Sequence, residues 1–97
     1  MTLVKAVGVL QTPSFKKVVK KLNPNQKKDL DQAVKELMSN PGMGEQKKGD
    51  LAFLCVYKFK MDKQLTLLGY SFDEGNLILE LLALGAHENF YRDLKRK

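Results

Sequence analysis

The chain has 97 residues, 43% of them hydrophobic and 29% charged, with a formal net charge of +6. That is enough for one domain, 1–97, of ordinary globular composition, and too apolar for a disordered chain. No stretch reaches the roughly 18 apolar residues of a membrane span. Met1-Thr2-Leu3-Val4-Lys5 lacks the basic region, apolar run and cleavage site of a signal peptide, so neither a membrane nor export is expected.

Val4 to Leu10 is rich in aliphatic and β-branched residues and reads as a short strand. Thr12-Pro13 then supplies an N-cap with proline at the first helical position. Phe15, Val18, Val19 and Leu22 follow at helical spacing, with lysines between them. Asn23-Pro24 repeats the start signal, and Leu30, Ala33, Val34, Leu37 and Met38 form a second apolar stripe. Asn40-Pro41-Gly42 ends it. Two helices joined this tightly form a hairpin that must lay its apolar side on something else.

The second half supplies that surface. Leu54 to Met61 alternates, with Cys55, Tyr57, Phe59 and Met61 on one face and Val56, Lys58 and Lys60 on the other. Met61-Asp62-Lys63 can turn the chain into Gln64–Phe72, a nearly continuous apolar strand. Asp73-Glu74-Gly75-Asn76 is a strong turn signal before a third strand, Leu77 to Leu84, apolar on both faces apart from Glu80. His87 to Arg96 can form a short terminal helix whose basic end suits the helix dipole. The predicted class is α+β: an N-terminal strand, a helical hairpin, a three-stranded antiparallel meander and a short C-terminal helix, with the helices on one face of the sheet.

Few residues are equipped for chemistry. Cys55, the single cysteine, sits between Leu54 and Val56 and reads as a buried, inert thiol rather than a nucleophile. It can form no intramolecular disulfide, which fits a reducing cytoplasm. One cysteine and one histidine leave a structural zinc without its ligands, and no metal or other cofactor is expected. The 17 basic residues outnumber the 11 acidic ones and cluster at Lys16-Lys17, Lys20-Lys21, Lys27-Lys28, Lys47-Lys48, Lys58, Lys60 and the tail from Arg92 to Lys97. Such an excess favours RNA, ribosomes or an acidic protein as partners. Taken singly, the helix lysines read as solvated faces of amphipathic helices.

Lys58 and Lys60 share one face of an alternating strand. Two cations are costly to bury, so that face must be open there. The pair suits a preorganised phosphodiester site, and equally an exposed strand guarded by lysines against aggregation. His87 follows Gly85-Ala86 at the strand-to-helix junction, and its ordinary pKa of about 6.5 suits proton transfer. Tyr91 lies one helical turn on and could stack on a base. The same two residues could instead cap the junction and pack on the sheet.

Two stretches carry a family resemblance. The ending Leu82-Ala83-Leu84-Gly85-Ala86-His87-Glu88-Asn89-Phe90-Tyr91-Arg92-Asp93-Leu94-Lys95-Arg96 resembles the C-terminus of RelE/ParE-type toxins of type II toxin–antitoxin systems. Lys48-Gly49-Asp50-Leu51 leads into Tyr57-Lys58-Phe59-Lys60, which is similar to the Tyr-Lys-Ile-Lys strand of the ribosome-dependent RelE endoribonucleases. The element order matches over nearly the whole chain, while the specific motifs are confined to residues 48–60 and 82–96.

The resemblance implies that Lys58 and Lys60 match a catalytic lysine pair. Tyr91 matches the C-terminal tyrosine once two residues are deleted, and His87 stands where that branch has an arginine. Another arginine, used against the phosphate, is replaced by Gln64 or Thr66, and a neutral side chain cannot supply a guanidinium fork. The implied activity is metal-independent cleavage of messenger RNA on the ribosome by 2′-hydroxyl attack. His87, Lys58, Lys60 and Tyr91 would be catalytic, and Lys47, Lys48, Arg92, Lys95 and Arg96 would bind RNA. A cognate antitoxin is the implied protein partner. The alternative within the same fold is a ParE-type inhibitor of DNA gyrase without nuclease activity.

Overall fold

The computed structural model describes residues 6–49, 53–86 and Phe90. Along the chain come β1 (Gly8–Gln11), α1 (Pro13–Lys20), α2 (Pro24–Ser39), a 3-10 turn (Pro41–Met43), β2 (Glu45–Gln46), β3 (Cys55–Met61), β4 (Gln64–Asp73) and β5 (Ile78–Gly85). Both helices start where the sequence signals them. The Thr12 hydroxyl accepts from the Phe15 N–H at 3.2 Å, satisfying one of the donors that a helix start leaves unpaired. Asn23 and Gln26 form a reciprocal capping box, each side chain accepting the other's backbone N–H, at 2.8 and 2.9 Å.

The five strands lie in the order β1-β5-β4-β3-β2. The predicted meander of β3, β4 and β5 is present and antiparallel throughout. It turns first at Asp62-Lys63, whose φ values of 51° and 71° are those a two-residue hairpin loop requires. β1 pairs parallel to β5, which buries β5 in the interior of the sheet and explains its apolar character on both faces. β1 begins later than the predicted Val4 start, at Gly8, while Val4 and Lys5 lie outside the described residues. The predicted helix from His87 to Arg96 also lies outside them, apart from Phe90.

One strand was not foreseen. β2 is two residues long and pairs antiparallel with β3, Glu45 opposite Val56 and Gln46 opposite Cys55. It is too short for any periodic signal.

Both helices cover one face of the sheet. Phe15, Leu30 and Leu37 pack there with Leu68, Tyr70, Leu79, Leu81 and Leu84, and Tyr57, Phe59 and Cys55 join the rim. Tyr57 and Phe59 stack at 6.0 Å between ring centroids, and the Tyr57 hydroxyl donates to Glu36 of α2 at 2.7 Å. Cys55 is half-buried here rather than fully buried. Burial still pushes its thiol pKa up, away from the thiolate a nucleophile needs.

Tyr70 is fully buried at the centre of this layer. Its hydroxyl donates to the Pro41 carbonyl at 2.6 Å and accepts the Gly44 N–H at 2.9 Å. The sheet centre thereby holds the turn that launches β2. Glycine is required at 44 because an added Cβ would collide with the Tyr70 ring and hydroxyl. Tyr70→Phe leaves both backbone groups without their partner, so chemical denaturation should show a loss of about 1–3 kcal/mol.

The β4–β5 turn is organised by Asp73. Its carboxylate accepts from the Gly75 and Asn76 backbone N–H groups at 3.0 and 3.2 Å and from the Asn76 side-chain amide at 2.8 Å. These bonds, led by the Asn76 side chain, hold its pKa below the ordinary aspartate value. A depressed folded pKa gives stability that is complete above the unfolded value, about 3.9, and is lost as pH falls through the folded one. Acid titrations of thermal stability should therefore show a steeper fall below about pH 4 in the wild type than in Asp73→Asn.

Candidate active site on the sheet face away from the helices

Alternation along β3 divides its side chains as the sequence predicts. Tyr57 and Phe59 face the helices, whereas Val56, Lys58 and Lys60 face the other way, with both lysines exposed. Paired residues of an antiparallel sheet share a face, so the register extends this surface strand by strand. Lys60 lies opposite Leu65, Lys58 opposite Leu67, and Val56 opposite Gly69. Leu67 and Gly69 lie opposite Gly85 and Ala83 of β5. Lys58, Leu67 and Gly85 thus form one row across three strands, about 10 Å long at the usual strand spacing.

The same parity corrects one sequence expectation. Gln64 and Thr66 were the candidate replacements for the family arginine, yet both belong to the opposite set of β4. Thr66 is buried opposite Phe59, with its hydroxyl bonded to the Gln64 carbonyl at 3.1 Å. Leu65, 55% exposed, is the residue that stands beside Lys60. The position next to the lysine pair is therefore apolar.

A carboxylate that the sequence did not single out also belongs to this surface. Glu45 pairs with Val56 and so shares its face. Its carboxylate holds the Lys47 ammonium at 2.6 Å. Lys47, by this hydrogen bond and its charge, and Lys58, more weakly, draw the Glu45 pKa below the ordinary value. Lys47, expected to meet RNA, is thus engaged by Glu45, while Lys48 is exposed. No signal in the sequence could place Glu45, because only the two-residue pairing of β2 brings it to β3.

The chain returns to this face at its C-terminal end. Phe90 is buried with Leu54, Val56 and Leu67 in a second apolar cluster, and Leu82 and Ala83 pack against it. The Phe90 N–H donates to the Ala86 carbonyl at 2.8 Å. The ring sits over Gly69, where an added Cβ would come within 2.7 Å of the ring and 3.0 Å of Leu54. Beside it the register shifts between Gly69 and Tyr70, so that β4 pairs Gly69 with Ala83 and Tyr70 with Leu81. Leu82 is the extra residue of a β-bulge, a device that redirects side chains at sheet surfaces.

His87, Tyr91, Arg92, Lys95 and Arg96 lie outside the described residues. Of the predicted site, the structure places Lys58 and Lys60 on one face of β3, opposite Leu67 and Leu65, with Lys47 held by Glu45 at the sheet edge.

The Gly69–Phe90 fit generates a paired prediction. Gly69→Ala should destabilise by about 1–3 kcal/mol, as overpacking does, and Phe90→Ala by about 3–5 kcal/mol through the cavity it leaves. Because the two residues touch, Gly69→Ala combined with Phe90→Ala should be more stable than the sum of the single changes implies. Denaturation of all variants measures this coupling, and strict additivity would contradict the fit.

Comparison with known proteins gives the chain its place. No curated protein matches it. Two solved structures of the E. coli toxin RelE share its fold. One is the intact RelBE toxin–antitoxin complex, with TM-score 0.67 and 17% identity, covering 84% of this chain and 96% of that one. The other is a double mutant of RelE in the free state, with TM-score 0.68 and 18% identity, covering 87% and 86%. Residues 9–95 match the family model described as ParE-like toxin of type II bacterial toxin-antitoxin system. The chain belongs to this family, as a type II toxin of RelE/ParE type.

Proposed function

We propose that the chain is a cytoplasmic, ribosome-dependent messenger RNA endoribonuclease whose active site is the sheet face bearing Lys58 and Lys60. The observation that supports this best is that two exposed lysines two residues apart on β3 share the face against which Phe90 packs. His87 and Tyr91 are the sequence neighbours of Ala86 and Phe90.

In the proposed reaction a ribose 2′-hydroxyl attacks the adjacent phosphorus and the 5′-oxygen leaves. The products are a 2′,3′-cyclic phosphate and a free 5′-hydroxyl. His87 transfers the proton, since its ordinary pKa lies near neutrality. Glu45 is the competing base, but its lowered pKa makes it a weak one at neutral pH. Lys58 and Lys60 stabilise charge on the phosphorane, and Tyr91 stacks on a base. Lys47, Lys48, Arg92, Lys95 and Arg96 contact the RNA backbone. With Leu65 where a further cation would help, the site is sparse. That suits an enzyme whose substrate is oriented by the ribosome.

As in the RelBE complex, the proposed protein partner is a cognate antitoxin. The alternative reading, inhibition of DNA gyrase, draws on the ParE-like description of the family. Induction of the toxin without its antitoxin separates the two. The nuclease reading expects cleavage confined to translated regions of messenger RNA, with supercoiling unaffected. Intact RNA with inhibited supercoiling would establish the gyrase reading instead. Lys58→Ala, Lys60→Ala and His87→Ala should each reduce cleavage about 100-fold or more, by analogy with losing one charge-stabilising donor. Full toxicity in these variants, with normal folding, would refute the assignment.

A further inference from the structure

The positive excess of the chain lies in its first 28 residues, most of it on α1 and the first turns of α2. Residues 1–28 hold seven lysines and no acidic residue, whereas the remainder holds ten basic and eleven acidic residues. Lys16, Lys17, Lys20, Lys21, Lys27 and Lys28 are all exposed along α1 and the start of α2. None of the six forms an ion pair among the described residues.

Helix stability explains this arrangement only in part. Lys16 with Lys20, and Lys17 with Lys21, stand four residues apart, where like charges repel. Lys27 and Lys28 lie near the positive end of the α2 dipole, and no acidic residue occupies the first turn of either helix. Lys17 and Lys20, in the last turn of α1, are favourably placed, and Asp31 stands within one turn of Lys27 and Lys28.

The surface also lies on the other side of the molecule from Lys58 and Lys60, since α1 and α2 cover the opposite sheet face. With a smallest extent of 22 Å, a phosphate held at one surface is beyond reach of the other. A protein partner would need apolar anchors. Among the described residues, the exposed large apolar side chains, Val7, Leu10, Met43, Phe53 and Leu65, all lie outside both helices. Lysine is moreover depleted from protein interfaces. A phosphate backbone requires only cations.

We propose that the lysine surface of α1 and the start of α2 is a second RNA-binding site. It docks the protein on structured, double-stranded RNA while the opposite face acts on a separate strand. The proposal rests on the nuclease reading above, under which the structured RNA is ribosomal.

The test compares wild type with Lys16→Gln/Lys17→Gln/Lys20→Gln/Lys21→Gln and with Lys27→Gln/Lys28→Gln, all as full chains. Their affinities for 70S ribosomes and for a 20-base-pair RNA duplex are measured as a function of salt. Glutamine keeps helix propensity and removes repulsion, so the melting temperature should hold or rise. The expected result is a salt slope on the duplex lowered by about one for each lysine engaged, with ribosome affinity at least tenfold weaker. Wild-type affinity and slope in both variants would overturn the proposal. So would weakened ribosome binding with an unchanged duplex slope, which identifies a protein contact instead. Ribosome-dependent cleavage with unaltered variants would sink the second site alone. Lysine-dependent duplex binding without ribosome binding or cleavage would sink the nuclease reading alone.

Discussion

The hydroxyl of Tyr70 is the point on which the arrangement of this molecule turns. It is buried at the middle of β4, and a buried hydroxyl must be bonded or it opposes folding. Its two partners, the Pro41 carbonyl and the Gly44 amide, belong to the irregular stretch between α2 and β2. Satisfying one side chain thus fixes where the chain leaves the helical layer and where it meets the edge of β3. Glu45 and Lys47 follow directly from that anchor, so the electrostatics at one end of the lysine face is settled from the core beneath it.

The neighbouring residue does the same on the other face. Strand alternation turns Gly69 away from the helices as surely as it turns Tyr70 toward them. There the absence of a side chain admits Phe90. The register shift falls between these two residues, which lets β5 present Leu79, Leu81 and Leu84 to the helix side while Leu82 and Ala83 contact the cluster around Phe90. Two adjacent positions, one filled by a large ring and one left empty, therefore anchor both flanks of the candidate site.

Much of this was legible in the residues, for identifiable reasons. The helix starts at Thr12-Pro13 and Asn23-Pro24 depend on local hydrogen bonds within three residues. The alternation of Tyr57, Lys58, Phe59 and Lys60 needs no partner to be read. The Asp73 turn is likewise local. What escaped was set by pairing between distant segments. β2 gains its identity only from β3, and the socket at Gly69 only from Phe90, 21 residues later. Gln64 and Thr66 were expected beside the lysine pair through the family resemblance, which does not show the face that the register selects. Leu65, the residue actually opposite Lys60, reads in sequence as one more apolar member of an apolar strand.

That substitution of character bears on how the proposed reaction would be driven. A cation at the position of Leu65 would stabilise a phosphorane directly, and a leucine cannot. Glu45 subtracts further, because its negative charge shares the face with Lys58 and holds Lys47. Residues 40–97, which leave out both helices, hold nine basic and eight acidic residues, so little long-range attraction for RNA arises around the candidate site. The attraction resides in the helical hairpin, on the opposite face. Division of labour between a weakly charged reaction surface and a strongly charged docking surface follows from this layout. Specificity for a substrate presented on a larger RNA would then come from geometry, since a free strand meets its strongest attraction on the face away from the proposed chemistry.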